Sequence, residues 1–300
     1  MSPKMHADEL EVDGSLVRAL VVSQYPEWGD LSLELFPASG TDHVIFRLGD
    51  DKAVRLPRHQ RASSQVETEQ LWLPRLAPLL PLAVPELRAV GHPDRGFPWP
   101  WSITRWLEGG PATADRIADP RQLAVALGQF VAAMHRIDLP GGPLPGAGNS
   151  FRGVPLAHRD GPTRHALAAL HDNIDTGAAS AAWEAALRAP PWNGPGVWLH
   201  GDLQVGNLLA HAGRLDAVID FGCLAVGDPA CDVMAAWTCL AADTRERFRS
   251  ELAVDDATWA RGRGWALSMG LIALPYYQGT NPVFAAAARR MILEVLADRE

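Results

Sequence analysis

Two carboxylates and an amide, Asp202, Asn207 and Asp220, have the types and spacing that phosphoryl transfer requires. The first segment reads Leu199-His200-Gly201-Asp202-Leu203-Gln204-Val205-Gly206-Asn207, and Ile219-Asp220-Phe221-Gly222 follows it. Moving a γ-phosphoryl group asks little covalent chemistry of a protein: a carboxylate orients the accepting hydroxyl, and oxygen ligands hold Mg²⁺. Asp202 suits the first task. Asn207 and Asp220 suit the second. A turn-capping role for Asp202 leaves the offsets of the other two unexplained.

Those three groups need elements to bring them together. Two apolar runs, Leu208-Leu209-Ala210 and Leu215-Asp216-Ala217-Val218-Ile219, flank His211-Ala212-Gly213-Arg214 and predict a hairpin. Such a hairpin would return Asp220 to Asn207, as a shared metal demands. The spacing is similar to a protein-kinase catalytic loop followed by Asp-Phe-Gly. Gly201 stands where that loop has Arg, however, and no Ala-Pro-Glu follows Asp220.

The combination of His200-Gly201-Asp202, Asn207, Ile219-Asp220-Phe221-Gly222 and Gly227-Asp228-Pro229-Ala230-Cys231-Asp232 resembles the aminoglycoside phosphotransferase family, small-molecule kinases with a protein-kinase-like fold. The resemblance is dense over 198–237 and thinner from about Phe36 to the C-terminus. It implies an α+β, two-lobed architecture. Residues 1–105 would form a nucleotide-binding lobe built on an antiparallel sheet. Residues 106–300 would form the hinge and a mainly helical catalytic and substrate-binding lobe. The resemblance further implies that His200 supports the loop by hydrogen bonds and that Asp232 anchors its backbone. Asp228 before Pro229 reads independently as a helix N-cap.

In the first lobe Leu31–Phe36, His43–Leu48 and Ala53–Pro57 alternate with turns and predict an antiparallel meander. The turn containing Ser39 and Gly40 stands where a kinase covers the phosphates, yet it holds a single Gly and reads equally as a plain hairpin turn. Arg55 is the expected phosphate-binding cation on the third strand, where the family often has Lys; a guanidinium is bulkier and grips bidentately. Lys52 is its rival, and the two face opposite sides of a strand. A helix over Ser63–Arg75 offers Glu69 as the partner of the strand cation, with Glu67 competing. Leu87–Val90 and Trp99–Arg105 read as the last two strands. In the resembling fold the stretch with Arg105 and Leu107 is the hinge, whose backbone would recognise the purine of ATP or GTP.

Helical periodicity dominates the second lobe. Asp119 and Pro120 open a long helix ending near His135, which complements the helix dipole rather than doing chemistry. Leu139–Ser150 is too rich in Pro and Gly for regular structure. Helices are predicted over 161–175, 178–189, 243–253, 255–275 and 282–298. In the family, helices of these regions line the acceptor cleft with acidic and aromatic groups; Asp160, Glu184, Asp255, Trp265, Tyr276 and Tyr277 are eligible here.

Composition sets the remaining bounds. Three hundred residues with 47% apolar content can fill two lobes, and no run of eighteen apolar residues exists to span a membrane. The N-terminus lacks a signal-peptide pattern, so a cytoplasmic location is expected. A net charge of −8 argues against nucleic acid and favours a cationic small-molecule acceptor. Cys223, Cys231 and Cys239 are spaced too widely for a zinc knuckle and read as reduced thiols. A monomer is the default. Together with the motif spacing, the resemblance implies a Mg²⁺-dependent kinase that phosphorylates a hydroxyl of an aminoglycoside-type antibiotic and so inactivates it. Another antibiotic or a metabolite as acceptor, or a non-catalytic nucleotide-binding module, is the alternative.

Overall fold

Short strands joined by turns organise the first part of the chain. In a computed structural model, which describes residues 10–36, 42–171 and 173–298, strands β1 (Leu33–Phe36), β2 (His43–Leu48), β3 (Lys52–Pro57), β4 (Leu87–Gly91) and β5 (Trp101–Arg105) form an antiparallel sheet in the order β1-β2-β3-β5-β4. Ser39 and Gly40 lie outside the described residues. The final strand starts after Pro100, a residue with no N–H to give a ladder.

Period-two alternation divides this sheet into two faces. Val44, Phe46, Leu48, Val54, Leu56, Trp101 and Ile103 pack with Val17, Leu20 and Val21 of helix α1 (Gly14–Gln24), forming the core. Arg55, between Val54 and Leu56, therefore points to the other side. Helix α2 (Gln60–Leu76) begins three residues before the predicted start because the His59 ring accepts the Ala62 N–H at 3.3 Å. Opposite Trp101 on β4 stands Gly91, where any Cβ would lie 2.0 Å from the indole.

The chain groups into two compact units: residues 1–109 with 216–222, and residues 110–215 with 223–300. In the first, the returning segment lies beside Ala83, whose N–H donates to Asp216 O at 3.2 Å and whose carbonyl accepts from Val218 at 2.9 Å.

The second unit begins at β6 (Gly110–Pro111), which pairs with β8 (Leu208–His211). Helix α3 (Pro120–Arg136) follows, capped as predicted by the Asp119 carboxylate on the Arg121 and Gln122 amides. After α4 (Asp160–Ala169) and α5 (Thr176–Arg188) comes β7 (Val197–Leu199), antiparallel to β10 (Ala225–Gly227). After β8 the chain turns through Ala212 and Gly213, at φ 48° and 82°, into β9 (Arg214–Val218), whose last three residues belong to the first unit. The short helices α6 (Ala230–Val233) and α7 (Ala235–Thr238) lead to α8 (Arg245–Leu252), α9 (Asp256–Tyr277) and α10 (Pro282–Ala297). Helix α9 is buried on most of its circumference and packs on α4, α5, α6 and α10, as its almost uniformly apolar faces require. Among the described residues no helix is long and apolar enough to cross a membrane.

Candidate active site

The loop after β7 is held from below by a single buried carboxylate. Asp232, fully buried on α6, accepts the His200 N–H at 2.8 Å and the Gly201 N–H at 2.7 Å. Burial nonetheless pushes Asp232 up to about 7, against the pull of those two amides. His135, in the last turn of α3, lies 4.0 Å from Asp232, and burial lowers its ring to about 4. Thr238 adds a second tether, donating to the Leu203 carbonyl at 2.7 Å.

Gly201 has room for nothing larger. Its φ is 82°, and a Cβ there would meet the Cys223 carbonyl oxygen at 2.5 Å. This is the physical reason why His200 is followed by glycine rather than the kinase arginine. The turn delivers Asp202 with its backbone N–H on His200 Nδ1 at 3.2 Å, so the buried His200 ring supports the loop.

Three donors then fix the Asp202 carboxylate. Asn207 Nδ2 donates to Oδ2 at 3.1 Å and to the Asp202 backbone carbonyl at 2.8 Å; Gln204 Nε2 donates to Oδ2 at 3.2 Å. Arg152 Nη2 donates to Oδ1 at 3.1 Å. With its amide nitrogen committed to Asp202, the Asn207 side chain presents Oδ1 as its remaining polar group. That oxygen is a hard neutral donor of the kind Mg²⁺ accepts.

Within the first unit Arg55 Nη1 meets Glu69 Oε2 at 2.6 Å, both side chains being buried, while Nη2 lies 3.9 Å from Asp220 Oδ1. Burial alone would lower the Arg55 pKa; the Glu69 and Asp220 carboxylates outweigh it and the net shift is upward. Asp220 takes a left-handed φ of 66°, and its carboxylate is 40% exposed. It therefore offers charged oxygens to a cation. Lys52 is on the other face of β3, paired with Asp51 at 2.6 Å and 5.3 Å from the Trp28 ring. Among the described residues Arg55 pairs with Glu69 and Asp220 and Lys52 with Asp51, not with Glu67. Arg105 is exposed and pairs with Glu86 at 3.1 Å, and Leu107 is half-buried beyond the end of β5.

The acidic groups eligible to line an acceptor site have other partners. Asp160 binds Arg164 and Trp183, Glu184 binds Arg164, and Asp255 caps α9 through the Thr258 amide. Asp228 caps Ala230 and also pairs with Arg261 at 3.0 Å. Arg152, Gln204 and Thr238 escaped the sequence reading. Gln204 sits inside the motif and was legible there, but Arg152 is fifty residues away in an irregular stretch that carries no local pattern.

The chain belongs to the phosphotransferase enzyme family, whose model matches residues 34–265. Its fold is that of solved phosphotransferases of the same kind. The GDP complex of a mutant aminoglycoside 2'-phosphotransferase-IIIa is 16% identical, with a TM-score of 0.72 over 95% of this chain and 98% of that one. A macrolide 2'-phosphotransferase from Brachybacterium faecium is 25% identical, with a TM-score of 0.57 over 96% of this chain and 100% of that one. A gentamicin complex of a further aminoglycoside phosphotransferase is 16% identical, with a TM-score of 0.61 over 97% and 98%. No curated protein matches the sequence significantly.

Proposed function

We propose that the protein transfers the γ-phosphoryl group of ATP or GTP to a hydroxyl of a small-molecule antibiotic, with aminoglycosides as the first acceptor class. The observation that carries this reading is the Asp202 carboxylate, clamped by three donors in a loop that Asp232 holds. A carboxylate so fixed can take a hydrogen bond from an incoming hydroxyl and receive its proton as the phosphoryl group leaves the nucleotide. In this reading Arg55, steadied by Glu69, binds the nucleotide phosphates, and Asn207 and Asp220 hold Mg²⁺. The metal supplies charge neutralisation for the phosphate oxygens. The hinge backbone around Arg105 and Leu107 takes the base, and the protein works in the cytoplasm as a monomer.

A macrolide acceptor is the second reading. It is supported by the 25% identity to a macrolide 2'-phosphotransferase, against 16% for the aminoglycoside enzymes described above. It is also supported by the engagement of Asp160, Glu184 and Asp255 elsewhere, which leaves the acidic lining expected for a polycation without those members. A phosphate-transfer screen with ATP and GTP against aminoglycosides, macrolides and a metabolite panel decides between them. Transfer to an aminoglycoside is the expected result. Transfer to macrolides alone selects the second reading, and signal from metabolites alone removes the antibiotic assignment.

A further inference from the structure

Arg152 is a buried cation, 8% exposed, whose ion pair is with Asp202. The chain goes to some length to put it there. Ser150 and Phe151, immediately before it, both occupy the left-handed region at φ 55° and 57°, conformations that non-glycine residues hold only when their surroundings impose them. Buried Asn149 imposes them: its Oδ1 accepts the Gly146 N–H at 2.8 Å, and its Nδ2 reaches the carbonyls of Arg152 and Leu224 at 3.4 Å each.

A second guanidinium restricts Arg152 further. Arg159 is buried, lies 4.6 Å from the Trp265 ring, donates to Ser268 Oγ at 2.9 Å, and makes no ion pair among the described residues. Both arginines touch the Met269 sulfur. Two cations therefore share a buried region in which Asp202 pairs with Arg152, and moving Arg152 away would strand a charge.

We infer that Arg152 is a positioning residue for Asp202, orienting the carboxylate for the acceptor hydroxyl. A carboxylate has about four lone-pair sites. Asn207 and Gln204 take those on Oδ2 and Arg152 takes one on Oδ1, which leaves one Oδ1 site for a hydroxyl donor. Without Arg152 the carboxylate can rotate about its last bond, and both oxygens compete for the same donors. This inference rests on the phosphotransfer reading of Asp202, and its test carries a readout that needs no acceptor.

The test compares Arg152→Gln with Arg152→Lys; both side chains can donate a hydrogen bond and only lysine keeps the charge. In the phosphate-transfer assay, Arg152→Gln should lower kcat by about tenfold or more while leaving the nucleotide KM within about twofold, and Arg152→Lys should recover most of the loss. Crystal structures of both variants supply the acceptor-independent arm: Asp202 should leave its bonds to Asn207 and Gln204 in the glutamine variant and keep them in the lysine variant. An unmoved Asp202 in Arg152→Gln, or equal kcat in the two folded variants, overturns the positioning role. If Arg152→Gln does not fold, Arg152→Met, which fills similar space without the charge or the donor, takes its place in both arms with the same outcomes. Absence of any phosphoryl transfer by the wild-type protein fails the proposed function instead, and the crystallographic arm still decides this one.

Discussion

Charged side chains do the proposed chemistry, and each has a partner that limits what it can do. Asp202→Ala and Asp220→Ala should each lower phosphoryl transfer by about 10²–10³-fold or more while the circular dichroism spectrum stays native; retention of more than about a tenth of kcat in either defeats the mechanism. Arg55 and Lys52 separate cleanly by face. Arg55→Ala should raise the nucleotide KM, since it removes the cation next to Glu69 and Asp220, and Lys52→Ala should leave that KM unchanged. The reverse pattern in steady-state kinetics would reassign the phosphate contact to Lys52. The residues of the loop were legible because the spacing of Asp202 and Asn207 is local and the chemistry admits few residue types. Arg152 was illegible for the opposite reason: what places it beside Asp202 is tertiary structure, and an arginine after a Pro- and Gly-rich stretch has many ordinary explanations.

Elements place those residues by means that are partly written in the sequence. The helix start at Asp119 was readable because a carboxylate before a helical run satisfies otherwise orphaned amides, whereas Asp255, offered by the sequence as an acceptor-site candidate, caps α9 instead. The start of α2 was not, since a histidine ring performs the same task at His59. The loop after β7 depends on a conformation that only glycine takes easily. Gly201→Ala must accept a left-handed φ, costing about 1–2 kcal/mol, and a methyl group against the Cys223 carbonyl. A lower melting temperature together with reduced kcat is expected. A variant with wild-type melting temperature and kcat would show that the loop tolerates the methyl group.

For the whole molecule, buried titratable groups link stability to pH. Burial lowers His43 to about 3, so the folded protein keeps it neutral where the unfolded chain binds a proton. Its contribution is complete above about 6.5 and is lost as pH falls, at about 1.4 kcal/mol per pH unit. His135, lowered to about 4, has the same sign; Asp232, raised to about 7, has the opposite sign and loses stability as pH rises through that value. Between pH 6 and pH 5 the last two offset one another, leaving the His43 slope. Denaturant unfolding across about pH 6.5 to 4.5 should therefore show stability falling with acid, and His43→Gln should flatten the fall. An unchanged slope in that variant would place the acid sensitivity elsewhere. The division of the chain carries a consequence for its synthesis. Residues 216–222 belong with residues 1–109, so the first unit is not finished until the ribosome has passed the catalytic loop. Asp220, the partner that Arg55 meets there, arrives with that late segment. A gene fragment ending at residue 109 lacks the segment that pairs with Ala83, because residues 110–300 carry it.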